Sequence, residues 1–400
     1  MRIGRDFLRL SALVVLLPAC RQPYFPKVVA GNLGYLVVDG IIASGQESTI
    51  ITLSRTQNLT DTLTAFTGET GALVSILGQN GEVFPMADQG NGRYLALELN
   101  LNFSELYQLG ITTTNGKAYL SEPFPVRQTP PIDSVSWTYD SSLVHVFVNT
   151  HDPANNSRFY RWEYTETWQY QSTYFSQLIY QNGTLRKRTD SEQIYNCWTT
   201  TNSTSILVGT SENLSRDLIY NQPLFVDSLF VYYYPVDHSL ILPAMSQKFV
   251  MEYSVLVSQY AITDSAYAYW QNLKMNTEEL GSLFSPQPNS QLGGNIHCLT
   301  NPNEPVIGFI SASTLQQNRI FINHYQLRRG TAPEPEIGCF EQLFPPDSLS
   351  YYLPYQALYS PIDSAFNVAG VFIGIDAGPT YCVDCRADGG TTIKPGYWPN

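Results

Sequence analysis

Short runs that alternate apolar and polar residues recur along the chain from residue 36 onward. Residues 36–42 and 48–53 are rich in β-branched side chains and are separated by a Gly-containing turn, a pattern typical of a β-hairpin. Further apolar runs flank Asn80-Gly81 and Asn115-Gly116, where the glycine supplies the positive φ that a tight turn requires. Strands this short, with turns this closely spaced, predict an Ig-like β-sandwich over residues 31–122.

A cluster of prolines follows this region. Four prolines fall within residues 123–131, and because proline opposes both helices and sheet ladders, this stretch is predicted to be an extended linker. Strand-like runs then resume, and residues 159–165 largely alternate bulky aromatic with polar residues at a period of two. The sequence therefore predicts a second, larger β-rich domain over residues 132–330.

One segment of this second domain has helical periodicity. Ala266 and Trp270 recur at four-residue spacing, and Thr263 or Asp264 can cap the first turn. We therefore expect an amphipathic helix near residues 264–280, with its apolar stripe in the core. The expected fold class is mainly β, with an N-terminal Ig-like β-sandwich followed by a larger β-rich domain that carries this helix.

The N-terminus carries an export signal. Three arginines precede an apolar run at residues 10–17. This run is far shorter than the ~20 apolar residues that cross a bilayer as a helix. Residues 1–19 are therefore predicted to be a cleaved signal peptide. Leu17-Pro18-Ala19-Cys20 resembles a bacterial lipobox, in which the cysteine after the cleavage site is acylated. The alternative is an ordinary signal peptide, with Cys20 free or in a disulfide.

Acylation of Cys20 would anchor the chain to a membrane. Each methylene buried in lipid contributes ~0.8 kcal/mol, so several acyl chains hold a protein at a bilayer almost permanently. Residues 20–30 contain two prolines and no periodicity, which predicts a short tether. No later segment reaches ~18 uncharged apolar residues, so we expect the chain to sit on a membrane without crossing it.

Composition and charge exclude some classes of partner. The chain of 400 residues is 43% hydrophobic and 14% charged, so it can bury large cores. Its formal net charge is −12, and it has no Lys- or Arg-rich stripe. Because nucleic acids and anionic lipid head groups bind basic patches, neither is an expected partner.

Six cysteines are present, and an exported chain meets an oxidising compartment in which disulfides form. If Cys20 carries lipid, at most two bridges and one free thiol can form among the other five: Cys197, Cys298, Cys339, Cys382 and Cys385. We expect Cys339 to pair with Cys382 or Cys385 and to stabilise a C-terminal segment, residues 331–400, packed on the second domain. The rest of the connectivity stays open. Half a zinc site is the alternative for Cys382 and Cys385, but no second C-x-x-C or His pair lies nearby, so no metal is expected.

No catalytic motif is found in the sequence. It lacks G-x-S-x-G, H-E-x-x-H, a Walker loop and a G-x-G-x-x-G after a strand. Its five histidines are scattered through different segments. The sequence therefore predicts a protein that is not an enzyme and has no cofactor. Two carboxylates from distant loops leave no trace in a sequence, so an envelope hydrolase is kept as a third alternative.

Aromatic residues cluster between positions 162 and 170. Trp162, Trp168 and Tyr170 are candidates for a stacking platform that binds a sugar or a peptide. Bulky aromatics at alternating strand positions more often fill the core of a sandwich. The core interpretation is favoured, and the stacking interpretation is kept as the alternative.

Three local signatures accompany the lipobox. They are residues 36–40 (Leu-Val-Val-Asp-Gly), Gly294-Asn295-Ile296 with Asn301-Pro302-Asn303-Glu304, and a C-terminal run from Tyr381 to Trp398 that contains Cys382 and Cys385. With these signatures the chain resembles, over nearly its whole length, the Bacteroidota lipoproteins grouped as the domain-of-unknown-function family 4249. The resemblance implies an outer-membrane lipoprotein, often encoded beside a TonB-dependent transporter, with an accessory role in uptake or surface assembly. It implies no catalytic residues.

The expected function is therefore that of an outer-membrane-anchored accessory or binding partner of a TonB-dependent transporter. The alternative is a surface adhesin module that binds glycans or peptides through Trp and Tyr side chains. Residues after Cys20 show no acidic surface-export signal, so a periplasmic-facing and a cell-surface location both stay open.

Overall fold

The structure of the protein is a computed structural model. It describes residues 34–57, 68–140, 142–233, 242–278, 293–327, 338–349 and 358–399. Strands predominate over helices in these residues, so the predicted mainly β fold class is confirmed. Cys20, the signal peptide and the tether of the sequence prediction lie outside the described residues.

Short strands fill the N-terminal part of the chain. They are β1 (Leu36–Asp39), β2 (Ile42–Ala43), β3 (Thr49–Arg55), β4 (Leu73–Gly78), β5 (Val83–Asp88), β6 (Arg93–Ala96), β7 (Leu106–Thr112), β8 (Ala118–Ser121) and β9 (Phe124–Arg127). Gly81 has φ 96° in the turn between β4 and β5, and Gly116 has φ 81° in the turn between β7 and β8. Both Asn-Gly turn predictions are confirmed.

Several longer strands follow from residue 132. They are β10 (Ile132–Asp140), β11 (Leu143–Thr150), β12 (Phe159–Gln171), β13 (Leu178–Gln181), β14 (Thr184–Lys187), β15 (Asn196–Asn202), β16 (Leu207–Thr210), β17 (Ile219–Ser228), β18 (Phe230–Tyr233), β19 (Leu242–Met245) and β20 (Glu252–Ile262). Short 3-10 turns lie at Asp190–Glu192 and Gln247–Phe249.

Helices occur in the last part of the chain. α1 (Asp264–Thr277) is followed by β21 (Ile296–Cys298), β22 (Ala312–Ser313), β23 (Leu315–Asn323), α2 (His324–Leu327), β24 (Gln342–Phe344), β25 (Tyr359–Phe366), β26 (Phe372–Pro379), α3 (Thr380–Val383) and a 3-10 turn at Cys385–Asp388. α1 confirms the predicted helix. The Thr263 hydroxyl caps it by accepting a hydrogen bond from the backbone N–H of Ala266 at 3.2 Å.

The N-terminal strands form one eleven-stranded sheet with a shared core. The strand order is β1-β3-β6-β5-β4-β7-β9-β22-β2, with β8 paired to β7 and β21 paired to β8. Leu36, Ile51, Ile76 and Tyr94 are fully buried in the core of this sheet. β22 runs parallel to both β2 and β9, whereas the Ig fold is built from antiparallel sheets, so this order differs from the predicted Ig-like arrangement.

Two strands of this sheet come from late in the chain. β21 and β22 lie within residues 132–330, which the sequence assigned to a second domain, and β9 lies within the predicted linker at 123–131. Val126 of β9 pairs with Ala312 of β22. A strand at the edge of a sheet presents unpaired N–H and C=O groups. Here β21 bonds to β8, and β22 bonds to β9 and β2. Pairing between strands so far apart in the chain leaves no local pattern in the sequence. For this reason the sequence analysis placed β9, β21 and β22 outside the N-terminal domain.

Two further sheets share a second core. One has the order β10-β11-β17, and in the other β12 is central, with β15 and β16 on one side and β20, then β23, on the other. Val144 and Val146 of β11 lie in the same core cluster as Tyr160 and Trp162 of β12 and Val255 of β20. Each sheet therefore buries alternate residues of its strands, which explains the period of two along β12.

Two disulfides involve the C-terminal segment: one closes a loop within it, and the other joins it to β15. They are Cys339–Cys382 and Cys197–Cys385. The first agrees with one of the two pairings expected for Cys339. Among the described residues Cys298 is a free cysteine, and it is buried. β24, β26 and β25 form a small sheet in that order, and the β13–β14 hairpin packs on its core.

Candidate functional site

A cavity of about 390 Å³ lies beside α1, where the helix faces parts of the N-terminal sheet. Its lining includes side chains from the helix and from segments next to β8, β21 and β22: Ser265, Tyr269, Asn272, Glu122, Asn295 and Phe309. Pockets that bind small molecules have volumes of about 300–1,000 Å³, so this cavity can hold a small ligand.

The helix contributes its lining residues through its periodicity. Ser265, Ala268 and Asn272 recur at three- and four-residue spacing and therefore share one face of α1. Tyr269 is buried, and its ring lies 5.3 Å from that of Phe309, measured between centroids. The cavity is consequently polar along the helix and aromatic on its buried side.

Close backbone packing holds the segment that faces the helix. A Cβ atom on Gly294 would lie 1.9 Å from the carbonyl oxygen of Gly308, and one on Gly308 would lie 2.1 Å from the carbonyl oxygen of Val38. Gly308 also has φ +138°, a conformation that other residues rarely adopt. These contacts require glycine at both positions, which gives Gly294 of the Gly-Asn-Ile signature a structural role.

Asn295 connects this segment to its neighbours. Its side-chain Nδ2 donates to the carbonyl oxygen of Ile310 at 2.8 Å, and its Oδ1 accepts from the backbone N–H of Ile310 at 2.9 Å. Its own carbonyl oxygen accepts from the backbone N–H of Glu122 at 2.6 Å. Asn295 is thus held on both sides, and Glu122 is positioned at the cavity, where its carboxylate contacts His297 Nε2 at 3.2 Å.

The lining combines one acidic group with neutral hydrogen-bonding groups. Among the described residues that line this cavity, Glu122 carries the carboxylate. Burial raises the pKa of Tyr269, Asp39 raises it further, and a backbone hydrogen bond from Gly308 opposes the shift. The Tyr269 hydroxyl is therefore neutral near pH 7, and Ser265 supplies a hydroxyl that can donate or accept.

A second cavity, of about 380 Å³, lies at the N-terminal end of α1. Arg127 and Arg158 line it together with Glu212 and Asp264. Arg158 Nη1 also donates to the carbonyl oxygen of Leu214 at 3.2 Å. The two basic side chains are matched by two acidic ones, so the cavity lacks the positive charge that would select an anion.

The aromatic residues considered as a stacking platform lie in the core. Trp162 is 1% exposed, Trp168 8% and Tyr170 2%. The indole N–H of Trp162 donates to Gln259 Oε1 at 2.8 Å, and the Tyr170 hydroxyl donates to the carbonyl oxygen of Cys385 at 2.8 Å. These side chains present no open face to a ligand, and their burial agrees with the favoured core interpretation rather than with stacking.

Two carboxylates converge away from both cavities. Lys248 Nζ lies 2.7 Å from Asp227 Oδ2 and 2.9 Å from Glu166 Oε1, and the Tyr253 hydroxyl donates to Glu166 at 2.7 Å. Burial by itself would lower the pKa of Lys248, but its hydrogen bonds to the two carboxylates outweigh burial and raise it. The lysine pairs with both acids and offsets one of their two negative charges, so this cluster is a structural ion-pair network.

The described histidines are separate from one another. His145 and His151 each contact an aspartate, His297 contacts Glu122, and His324 contacts a backbone carbonyl. In the described part of the chain, no group of three or more His, Cys, Asp and Glu side chains is placed to hold a metal ion.

The other signature residues stabilise the fold. Glu304 accepts a hydrogen bond from the Tyr119 hydroxyl at 2.8 Å and pairs with Lys117 Nζ at 2.5 Å. Near the C-terminus, a Cβ atom on Gly390 would lie 2.2 Å from the Tyr170 hydroxyl, so only glycine allows this segment to pass the core. Neither group borders the cavity beside α1.

Residues 21–319 match the family model described as Domain of unknown function (DUF4249), and this match spans most of the chain. The chain belongs to this family. Membership in DUF4249 agrees with the resemblance drawn from the local signatures. All of the residues that line the cavity beside α1 lie inside the matched range.

Solved structures similar to this DUF4249 chain include two bacterial macroglobulins. A mutant alpha-2-macroglobulin from Salmonella is 11% identical with a TM-score of 0.18, and the match covers 61% of this chain and 18% of that one. Trypsin-activated alpha-2-macroglobulin from Escherichia coli is 10% identical with a TM-score of 0.19, and the match covers 59% and 19%. The chain thus spans less than a fifth of the length of these structures. No curated protein sequence matches it.

Within the described ranges, none of the helices is both long enough and apolar enough to cross a bilayer.

Sequence reasoning did not find the cavity beside α1. It placed the apolar stripe of the helix in the core and gave no role to Glu122 or Phe309. The available signal was the pair Gly294-Asn295, whose structural meaning depends on contacts with Gly308 and Ile310.

Proposed function

We propose that this DUF4249 protein is an accessory binding protein, held at the outer membrane by lipid on Cys20, that works beside a TonB-dependent transporter in nutrient uptake or surface assembly. The lipobox-like residues 17–20 support the location, and the resemblance to lipoproteins often encoded beside TonB-dependent transporters supports the partner. An acyl anchor confines the protein to the membrane of its partner, which raises their effective concentration without any new contact.

The cavity beside α1 carries the binding role. Ser265 and Asn272 offer hydrogen bonds, Glu122 offers one negative charge, and Tyr269 and Phe309 form an apolar side. Ligand sites usually combine a few directed polar groups with apolar side chains, and this half-open cavity has both. A small neutral or cationic polar molecule suits this lining, because the Glu122 carboxylate repels anions.

Ala268→Trp tests the cavity. Ala268 is exposed on the cavity face of α1, so a tryptophan there fills the space without entering the core. A library of sugars, amino acids and short peptides would be screened by thermal shift and calorimetry. We expect the variant to bind hits at least about tenfold more weakly, a loss of about 1.4 kcal/mol, with an unchanged Tm. Lys274→Trp, on the same helix but outside the lining, is the control; equal binding by all three proteins would reject the site.

The anchor and the partner have their own test. Mass spectrometry of protein from isolated membranes is expected to find acyl chains on Cys20, and crosslinking in intact cells is expected to join the chain to a TonB-dependent transporter. Cys20→Ser is the control, which should lose both the lipid and the crosslink. An unmodified Cys20 in a freely diffusing protein would reject the anchor, and recovery as a monomer alone would reject the partner.

A surface module that binds glycans or peptides is the second candidate. The same cavity favours it, since the hydroxyl of Ser265 and the amide of Asn272 can form hydrogen bonds with the hydroxyl groups of a sugar. A glycan array distinguishes the two: specific glycan binding that is lost in Ala268→Trp, without a transporter crosslink, would favour this candidate.

A further inference from the structure

Four charged side chains line the cavity at the N-terminal end of α1, and three of them lie at one end of the same sheet. β12 pairs antiparallel with β16 and with β20, so the start of β12 lies beside the ends of the other two strands. Arg158 precedes β12, Glu212 follows β16 and Asp264 follows β20. Arg127, the last residue of β9, adds a second positive charge. The fold thus brings two basic and two acidic groups to one cavity.

These charged groups do not pair with one another. Within the described residues, none of the four forms an ion pair. Arg158 Nη1 instead donates to the carbonyl oxygens of Ser211 at 3.4 Å and Leu214 at 3.2 Å, which holds the guanidinium in place. Its Nε and Nη2 groups have no partner in the described part of the chain. This edge of a guanidinium can bind a carboxylate through two parallel hydrogen bonds.

The same cavity has an apolar part. Ala261 and Ile262 line it together with Phe159, and the first two are buried, at 1% and 4% exposed, so they form its inner wall. Glu212 and Asp264 are exposed and therefore lie nearer to its mouth. The volume of about 380 Å³ is within the usual range for pockets that bind small molecules. A ligand with an apolar group could bury that group here and keep its charged groups at the mouth.

We propose that this cavity binds a zwitterion, a small molecule that carries one ammonium group, one carboxylate group and an apolar side chain. The carboxylate accepts hydrogen bonds from the Arg158 guanidinium, and the ammonium donates to Glu212 or Asp264. An anion would meet two acidic groups and a cation two basic ones, whereas a zwitterion pairs with both. Free amino acids and short peptides share this chemistry. None of the described residues that line this cavity lines the one beside α1.

Calorimetry with the full chain would compare three probes of similar shape. They are L-leucine, L-leucinamide, which lacks the carboxylate, and 4-methylpentanoate, which lacks the ammonium. We expect leucine to bind at least about fivefold more tightly than either analogue, the upper range for one exposed ion pair. A dipeptide of two leucines distinguishes the sources: tighter binding than leucine assigns the cavity to short peptides, and weaker binding assigns it to free amino acids. Equal affinity for leucine and both single-charge analogues would overturn the proposal.

Variants that remove one charge tie this selectivity to the cavity. Arg158→Gln should weaken leucine binding at least about fivefold and leave leucinamide binding unchanged, because leucinamide has no carboxylate to pair. Glu212→Gln should weaken leucine binding and leave 4-methylpentanoate binding unchanged, because that probe has no ammonium. Arg93→Gln and Glu98→Gln, at exposed positions outside the lining, remove the same charges and should bind leucine as the parent does.

Arg127→Gln is a second variant for the carboxylate side. Arg127 is exposed and its side chain makes no hydrogen bond within the described residues, so circular dichroism should show intact folding while leucine binding weakens. Parent affinity for leucine in Arg127→Gln, Arg158→Gln and Glu212→Gln alike would reject the proposal. Loss of leucine binding in Ala268→Trp alone would also reject it, because the ligand would then lie in the cavity beside α1. Failure of the proposed binding role and failure of this proposal therefore give different results.

Discussion

The Asn295 side chain bonds both backbone polar groups of Ile310, accepting from its N–H at 2.9 Å and donating to its carbonyl oxygen at 2.8 Å. The amide thereby substitutes for one rung of a β-ladder between segments that are not paired as strands. Asn295 is 5% exposed, so water does not compete for these bonds. The geometry of the cavity beside α1 depends on this contact, because Glu122 is bonded to the same residue.

Asn295→Ala should destabilise the protein markedly. The change leaves a donor and an acceptor of Ile310 without partners, and each buried unsatisfied group costs about 1–3 kcal/mol. We expect the free energy of unfolding to fall by about 2 kcal/mol or more, measured by urea denaturation. Asn303→Ala, at an exposed position of the neighbouring signature, is the control and should lie within about 0.5 kcal/mol of the parent.

Gly294→Ala and Gly293→Ala form a matched pair. A methyl group at 294 would collide with the carbonyl oxygen of Gly308, whereas one at 293 meets nothing within 4 Å. The first change should cost about 1–3 kcal/mol of stability and weaken binding in the adjacent cavity, and the second should have little effect on stability. Equal melting temperatures for the two variants would show that the backbone contact is not as close as described.

The two disulfides should contribute unequally. Cys197 and Cys385 are separated by 188 positions, and Cys339 and Cys382 by 43. By the loop-closure relation, removing the first bridge costs about 5 kcal/mol and removing the second about 4 kcal/mol. Double serine variants of each pair, unfolded in urea without reductant, would measure this. If removing Cys339–Cys382 cost more than removing Cys197–Cys385, residual structure in the unfolded chain, and not loop length, would control the two stability losses.

Glu304 should make stability depend on pH in the acid range. Burial raises the pKa of this carboxyl, but hydrogen bonds from Lys117 and Tyr119 outweigh burial and hold the pKa below its ordinary value of 4.5. A depressed carboxyl pKa stabilises the fold above the ordinary value, and this stabilisation is lost as the pH falls through the folded-state pKa.

Glu304→Gln should therefore cost about 1–3 kcal/mol at pH 7, and its difference from the parent should shrink below pH 4.5. Urea midpoints at pH 7 and pH 3 would measure both quantities. Glu341→Gln, at an exposed site, should show neither effect. If the variant and the parent differed in stability by the same amount at pH 7 and pH 3, the charge of Glu304 would not contribute and its side chain would act through packing alone.

Elements with a strong local pattern agreed with the structure. α1 begins at the predicted cap because the Thr263 hydroxyl bonds the first-turn backbone, a contact made within three residues. The Asn-Gly turns follow the same rule, since the positive φ at Gly81 and Gly116 is a property of those residues. The alternation along β12 was also visible, because residues of a strand point to opposite faces in turn.

The sequence by itself determined the types of these elements, the mainly β class and the family, since side-chain period, turn chemistry and short signatures are local properties. Only the tertiary structure decided that β21 and β22 complete the N-terminal sheet, that Cys197 pairs with Cys385, and that Glu122, Tyr269 and Phe309 meet at one cavity. Such contacts join residues far apart in the chain, and they depend on which strand edges and apolar surfaces remain to be covered once the local elements have formed.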